Sequence, residues 1–292
     1  MVYCTMKGII LSAGKGTRLY PMTRPICKPL LPVYDKPMLY YPLTALIAAG
    51  IRDVLIIVPP DDESPFRQLL GDGSQLGMRI SYLEQKVQRG IADAFLIGET
   101  FIGGENVCLI LGDNIFYGKG FRAALHEAMN FRGGAAVFGC LSDHPQDFGV
   151  VEFDAEGRAL SIEEKPQRPK SDYIVPGLYF YDGRVSEIAK NVKPSSRGEL
   201  EITSVNNAYL EMGELRVHLL ERDFSWFDTG TAESLITAAE AVRTAQRGGS
   251  YIGCVEEAAF RNGWIGADEL LRAAESMPNT AYGAYLQRLA ER

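Results

Sequence analysis

A chain of 292 residues, 46% hydrophobic and 23% charged, has the composition of an ordered globular protein, long enough for one large core or a core with an appendage. Its formal net charge of −7 excludes the broad basic surface that nucleic-acid binding relies on, and no run of about 18 apolar residues is present to cross a membrane. Five scattered cysteines, Cys4, Cys27, Cys108, Cys140 and Cys254, contain no Cys-x-x-Cys pair and read as reduced thiols of a cytoplasmic protein, not as a disulfide framework or a zinc site.

Residues 1–5 precede a more natural start at Met6-Lys7 and read as an N-terminal extension. The apolar run Gly8 to Leu11 predicts a buried strand, which leads into Ser12-Ala13-Gly14-Lys15-Gly16-Thr17-Arg18-Leu19. Ala13, Gly14 and Gly16 project almost nothing, so a ligand can approach the backbone, and consecutive N–H groups in such a loop form an anion-binding concavity. Arg18 and, further on, Lys28 supply the positive charge that phosphates require. The loop has neither the Walker spacing nor Gly-x-Gly-x-x-Gly. Taken alone it is equally a phosphate cradle or an ordinary strand-to-helix turn.

Further β-rich apolar runs at Val54 to Val58, Ile80 to Leu83, Val107 to Leu111 and Ala135 to Cys140 alternate with helically spaced segments at Met38 to Ala49, Ile91 to Thr100 and Phe121 to Asn130. This alternation predicts an α/β protein with a Rossmann-like, mostly parallel central sheet flanked by helices, and ligands beyond the carboxyl ends of its strands. From about residue 148, Gly149-Val150-Val151-Glu152-Phe153, Ala159-Leu160-Ser161-Ile162-Glu163-Glu164 and Gly177-Leu178-Tyr179-Phe180-Tyr181 predict antiparallel strands that flank the first sheet and cover the mouth of its ligand site. After Asp228-Thr229-Gly230-Thr231 a helix is expected from Ala232 to Gln246 and a second helical tail from Ala267 to Glu291.

Asp113 ends the strand Leu109-Ile110-Leu111-Gly112, and Asp228 follows the aromatic run Phe224-Ser225-Trp226-Phe227. Each alone reads as a turn or helix-cap residue. Brought to one sheet edge beside a phosphate loop, the two suit Mg²⁺, which takes a few carboxylate oxygens together with water and substrate phosphates. Loss of either is then expected to cost turnover and not folding. His126, His144 and His218 stand in no catalytic neighbourhood, and no nucleophile–base pair is evident.

These motifs, with Lys28-Pro29-Leu30-Leu31-Pro32, Asp35-Lys36-Pro37-Met38, Phe148-Gly149-Val150-Val151, Glu163-Glu164-Lys165-Pro166 and Trp226-Phe227-Asp228-Thr229-Gly230, resemble the sugar-1-phosphate nucleotidylyltransferase family over about residues 6 to 285. Tyr40-Tyr41-Pro42-Leu43, Leu70-Gly71-Asp72-Gly73-Ser74, Asn114-Ile115-Phe116-Tyr117-Gly118 and Arg197-Gly198-Glu199-Leu200-Glu201-Ile202-Thr203 are similar to the short bacterial thymidylyltransferases of that family. The resemblance implies attack of glucose 1-phosphate on the α-phosphorus of dTTP, giving dTDP-glucose for deoxysugars such as dTDP-rhamnose and releasing pyrophosphate, with catalysis by positioning and charge neutralisation.

It further implies that Leu11, Ala13, Gly14, Gly16 and Thr17 cradle the nucleotide and that Arg18 binds the β and γ phosphates. Lys28 would bridge the phosphates of both substrates, and Asp113 and Asp228 would hold Mg²⁺. Lys165 would grip the sugar phosphate and Glu164 the sugar hydroxyls, with Gly149, Val175 and Tyr179 completing that pocket. Arg197 and Glu199 would support it. Gln85 and Gly90 would meet the base, an amide being able to donate to a carbonyl and accept from a ring N–H at once. A catalytic domain at 6–231, with a nucleotide half at about 6–147 and a sugar-binding half at about 148–231, would carry a C-terminal helical region at 232–292. In the short bacterial group that region implies a homotetramer and feedback by a dTDP-sugar.

Two positions depart from the family pattern. Pro29 stands where a glutamine helps to read the base, and Asp93 places a carboxylate where the family has a neutral amide. UTP in place of dTTP is therefore the main alternative, since a methyl group in an apolar pocket gives only about 1–3 kcal/mol of selectivity. A glycosyltransferase would carry Asp-x-Asp where this chain has Asp113-Asn114-Ile115, and a non-catalytic nucleotide-sugar binder would have lost Arg18, Lys28 or an aspartate.

Overall fold

Strand β1 (Met6–Leu11) is buried on both faces, with Ile9 and Ile10 each 0% exposed, as expected for a central strand of a sheet covered on both sides. The protein, seen here as a computed structural model, is described over residues 6–131, 133–221, 224–249 and 251–291; the expected extension at residues 1–5 lies outside them. After β1 come a small hairpin, β2 (Pro32–Val33) and β3 (Lys36–Pro37), helix α1 (Tyr40–Ala48) and β4 (Asp53–Val58). There follow α2 (Glu63–Leu70), β5 (Arg79–Glu84), α3 (Asp93–Ile97), α4 (Glu99–Ile102), β6 (Asn106–Leu111), β7 (Asn114–Tyr117), α5 (Phe121–Ala128) and β8 (Ala135–Leu141). The helix expected from Ile91 to Thr100 is thus two short ones meeting at Gly98.

The second half supplies β9 (Gly149–Phe153), β10 (Ala159–Glu164), β11 (Tyr173–Ile174), β12 (Leu178–Tyr181), α6 (Val185–Asn191), α7 (Ile202–Glu211), β13 (Leu215–Leu219) and β14 (Ser225–Asp228). The chain ends in α8 (Ala232–Arg247), α9 (Val255–Arg261), α10 (Ala267–Glu275) and α11 (Ala281–Ala290), so the expected helical tail is a pair of helices preceded by a third. Cys27, Cys108, Cys140 and Cys254 are buried free thiols.

One sheet runs β10-β9-β11-β8-β12-β6-β1-β4-β5, with β13 also paired to β8. Strands β6, β1, β4 and β5 are parallel, in the register Leu111↔Leu11↔Ile57↔Leu83. The strands of the second half do more than flank this sheet. Strand β12 lies inside it, antiparallel to β6 and to β8, so one continuous sheet spans both halves. Alternate residues face opposite sides: Ile10 and Ile56 join one apolar layer with α1, while Ile9, Leu55 and Ile57 join another with Phe95 and Tyr181. The two-stranded β14–β7 ribbon stands off this sheet, with Asp228 opposite Asn114. Among the described residues no helix is long and apolar enough to cross a membrane.

Candidate active site

The carboxyl ends of β1, β5 and β6 deliver the loop at 12–16, Gln85 and Asp113 to a common edge of the sheet. Backbone bonds pin the departing chains: the N–H groups of Ser12, Gln85 and Gly112 donate to Ile57 O at 2.8 Å, Val58 O at 2.9 Å and Leu11 O at 2.9 Å. Within the loop, Gly16 has φ 60°, and a Cβ there would lie 3.0 Å from Lys28 Cβ and 3.1 Å from Thr23 Cγ2. Conformation and packing both demand glycine at that position. Ala13 is buried at the base of the loop, Leu11 and Gly16 are half-buried, and Gly14, Thr17 and Arg18 are exposed on it. The Gln88 side chain donates to Ala13 O at 2.6 Å and ties the loop to the segment after β5.

Lys28 opens a single 3-10 turn, Lys28–Leu30, and is only 6% exposed. Its Nζ lies 2.5 Å from Asp113 Oδ2, while Asn114 Nδ2 donates to Asp113 Oδ1 at 2.9 Å. Burial raises the pKa of the Asp113 carboxyl, but the charge and hydrogen bonds of Lys28 and the amide of Asn114 outweigh it and hold the group below the ordinary carboxylate range. Asp228 behaves oppositely: burial first, and then the charge of Asp113, push it up, against the cations Lys28, Arg18 and Lys165. Asp113, Asp228 and these three cations therefore share one electrostatic neighbourhood. A Cβ on Gly230 would lie 2.8 Å from Arg18 Nη2 and 3.1 Å from Asp228 Oδ2, so Arg18 reaches the turn after β14 because Gly230 leaves it room.

Asn114, which carries no role in the sequence beyond its place in a motif, organises this region. Its Oδ1 accepts from Trp226 Nε1 at 2.7 Å and from the Gly177 N–H at 3.0 Å, joining β7, β14 and the start of β12. Thr229 Oγ1 donates to Asp113 O at 2.8 Å and closes the same joint.

On the other side of this joint, β9 and β10 place Gly149 opposite Glu164, and Val175 N–H donates to Gly149 O at 2.8 Å. Glu164 Oε2 accepts from Thr203 Oγ1 at 2.6 Å, and its Oε1 lies 3.5 Å from Arg197 Nη2. Arg197 is also 2.9 Å from Glu201 and 3.5 Å from Glu199, which makes it a brace for the acidic group. Thr203, named in the sequence only as the end of a motif, is a second residue whose role its spacing from Glu164 does not signal. Lys165 has φ 47°, a left-handed conformation that costs a non-glycine residue about 1–2 kcal/mol, and its N–H is held by Phe148 O at 2.9 Å. Such strain in a cation beside a cluster of charges is characteristic of functional positions. Tyr179 is 3% exposed, and burial, with added repulsion from Glu164 and Asp113, keeps its phenol protonated.

The base-side candidates form a separate cluster linked to the loop through Gln88. Gln85 Nε2 donates to Asp93 Oδ2 at 3.0 Å and lies 3.4 Å from Gly90 O; Asp93 Oδ1 accepts from Arg89 Nη2 at 2.7 Å. Two expectations change here. Asp93 is 1% exposed and committed to Gln85 and Arg89, so it presents no free carboxylate to a nucleoside. Gln85 does not offer both of its functions to a base, because its amide nitrogen is already engaged. Pro29 is buried in its turn with its carbonyl accepting from Leu39 N–H at 2.8 Å, and it contributes packing at that position.

Among the described residues no group of three or more His, Cys, Asp or Glu side chains is arranged to hold a metal ion by itself. Two neighbouring carboxylates, one of them disfavoured by the charge of the other, fit a dication whose remaining positions are filled by phosphate and water.

The Nucleotidyl transferase family model matches residues 7–245. A glucose-1-phosphate thymidylyltransferase of Neisseria meningitidis is 56% identical over 288 residues, covering 98% of this chain and 100% of that protein. One from Mycobacterium tuberculosis is 53% identical, with the same coverage of 98% and 100%. Among solved structures, a protein described as a Bacillus anthracis glucose-1-phosphate thymidylyltransferase, in complex with sucrose, is 40% identical with TM-score 0.76, covering 82% of this chain and 96% of that one. A UDP-glucose pyrophosphorylase complexed with UDP-glucose, 24% identical with TM-score 0.72, covers 82% of this chain and 99% of its own and shares the fold. The chain belongs to the nucleotidyl transferase family, among the glucose-1-phosphate thymidylyltransferases.

Proposed function

We propose that this nucleotidyltransferase joins dTTP and α-D-glucose 1-phosphate to give dTDP-glucose and pyrophosphate at the site described above. The observation that carries the reading is the Lys28–Asp113 pair at 2.5 Å, set between the glycine-bearing loop and the Lys165–Glu164 corner. A buried cation at that junction serves phosphates on both sides.

The loop N–H groups and Arg18 hold the β and γ phosphates and take up the charge that accumulates as pyrophosphate departs. Lys28 draws the two anionic substrates together, and Lys165 holds the sugar phosphate with one oxygen directed at the α-phosphorus. That oxygen forms the new P–O bond, the bond to the β-phosphate bridging oxygen breaks, and its electron pair leaves with pyrophosphate. Glu164, held by Thr203 and Arg197, accepts hydrogen bonds from sugar hydroxyls, while Gly149, Val175 and Tyr179 shape the wall behind the ring. Asp113 and Asp228 would hold Mg²⁺, which supplies Lewis-acid neutralisation of the nucleotide phosphates.

The domain division at residue 231 with a C-terminal helical region at 232–292, a homotetramer, feedback by a dTDP-sugar and a cytoplasmic setting belong to the same proposal. They rest on the likeness to the short bacterial enzymes and, for the setting, on the buried free thiols.

Pyrophosphate release tests the activity directly, measured with dTTP, UTP and CTP against glucose 1-phosphate and glucosamine 1-phosphate. Release should require both substrates and be fastest with dTTP and glucose 1-phosphate. Absence of release with every pair, or equal release without a sugar phosphate, would overturn the reading.

A further inference from the structure

Gln85 is 4% exposed and is held at both ends of its amide nitrogen by groups that can only accept. Nε2 donates to Asp93 Oδ2 at 3.0 Å and approaches the Gly90 carbonyl at 3.4 Å. Reversing the amide would set its oxygen against a carboxylate oxygen and a carbonyl oxygen, so one orientation alone satisfies the surroundings. Asp93, 1% exposed at the first position of α3, is itself fixed by Arg89 Nη2 at 2.7 Å on its other oxygen. Consequently the atom that Gln85 has left to offer is Oε1, which accepts no hydrogen bond among the described residues and is not among their sealed, unpartnered polar atoms. A neutral amide at position 93 would not impose this, because it can present either an acceptor or a donor to Gln85.

We infer that Asp93 is a positioning residue for nucleotide choice: with Arg89 it locks Gln85 as a pure acceptor, so that the site takes pyrimidines carrying an imide N3–H and disfavours cytosine, whose N3 is itself an acceptor. The inference rests on Gln85 facing the base in the reaction proposed above. It gives Asp93 no part in telling thymine from uracil, since both carry the imide N–H. Selection between those two must come from the pocket around the methyl group and ribose. The carboxylate that breaks the family pattern therefore sharpens one discrimination and leaves the other untouched.

The test is steady-state kinetics of Asp93→Asn, Asp93→Gln and Gln85→Ala with dTTP, UTP and dCTP at saturating glucose 1-phosphate. In Asp93→Asn the lock is released. The dCTP/dTTP ratio of kcat/KM should rise about tenfold, through KM for nucleotide and not kcat, while dTTP/UTP stays within about twofold. Asp93→Gln restores the family's neutral amide at the same position and should move the ratio in the same direction, and it decides the matter if Asp93→Asn does not fold. An unchanged dCTP/dTTP ratio in the folded variants would overturn the lock. If Gln85→Ala also leaves every nucleotide ratio unchanged, the base-site reading itself falls, which separates the two failures.

Discussion

Asp113 and Asp228 carry charges whose removal should affect folding in opposite directions. Asp113 is the partner of a nearly buried lysine, so Asp113→Asn leaves Lys28 without its counter-charge and should cost about 1–3 kcal/mol of stability. Asp228 is disfavoured as an anion by burial and by Asp113, so Asp228→Asn should leave the melting temperature equal or higher. Both variants should lose roughly 100-fold or more in turnover, since each removes charge placed for the reacting phosphates. Thermal melts beside pyrophosphate-release rates check the pair; retained activity in both, or an equal drop in Tm in both, contradicts the assignment. The buried Lys28 partner replaces the expectation of unchanged folding with a predicted loss for Asp113, and for Asp228 that expectation stands as a prediction. Asp113 was legible because it ends an apolar strand beside a glycine. Its stake in stability was not, because that depends on Lys28, 85 residues away in sequence. The role of Asn114 was hidden for the same reason: its partners Gly177 and Trp226 are 63 and 112 residues distant.

At the level of elements, the parallel strands and their loops could be read from apolar runs, because strands buried on both faces leave continuous hydrophobic stretches. The place of β12 within the sheet could not, since Gly177-Leu178-Tyr179-Phe180-Tyr181 has the same pattern at a sheet's centre or on its edge. Helix α9 was equally obscure, and it contains the buried carboxylate Glu256, 9% exposed, which accepts from Tyr282 Oη at 2.5 Å. Burial pushes the Glu256 carboxyl up, opposed by the Tyr282 hydrogen bond and by the charge of Lys36, whose own pKa burial pushes down. A raised folded-state pKa contributes stability that is fully present below the ordinary glutamate value of about 4.3 and is lost as pH rises through the raised value. Glu256→Gln removes that loss. The variant should therefore melt higher than the native protein at pH 8, and the difference should shrink towards zero as pH falls to about 4. A variant that becomes progressively less stable than the native protein with rising pH would refute this account of α9.

For the molecule as a whole, one sheet carries both proposed substrate positions, the glycine-bearing loop at the end of β1 and the Glu164–Lys165 corner on β9 and β10, joined through β6 and β12. A continuous sheet suits a reaction that needs two anions held in fixed geometry and asks little else of the protein. The candidate site groups cations and carboxylates, and the reaction proposed for it is direct attack of the sugar phosphate on the nucleotide. The stereochemistry at the α-phosphorus tests this most directly: dTTP made chiral there by sulfur substitution is converted with glucose 1-phosphate, and the configuration of the product is read by ³¹P NMR. A single in-line displacement predicts inversion. Net retention would mean that a protein group had first taken the nucleotidyl unit and would contradict the account.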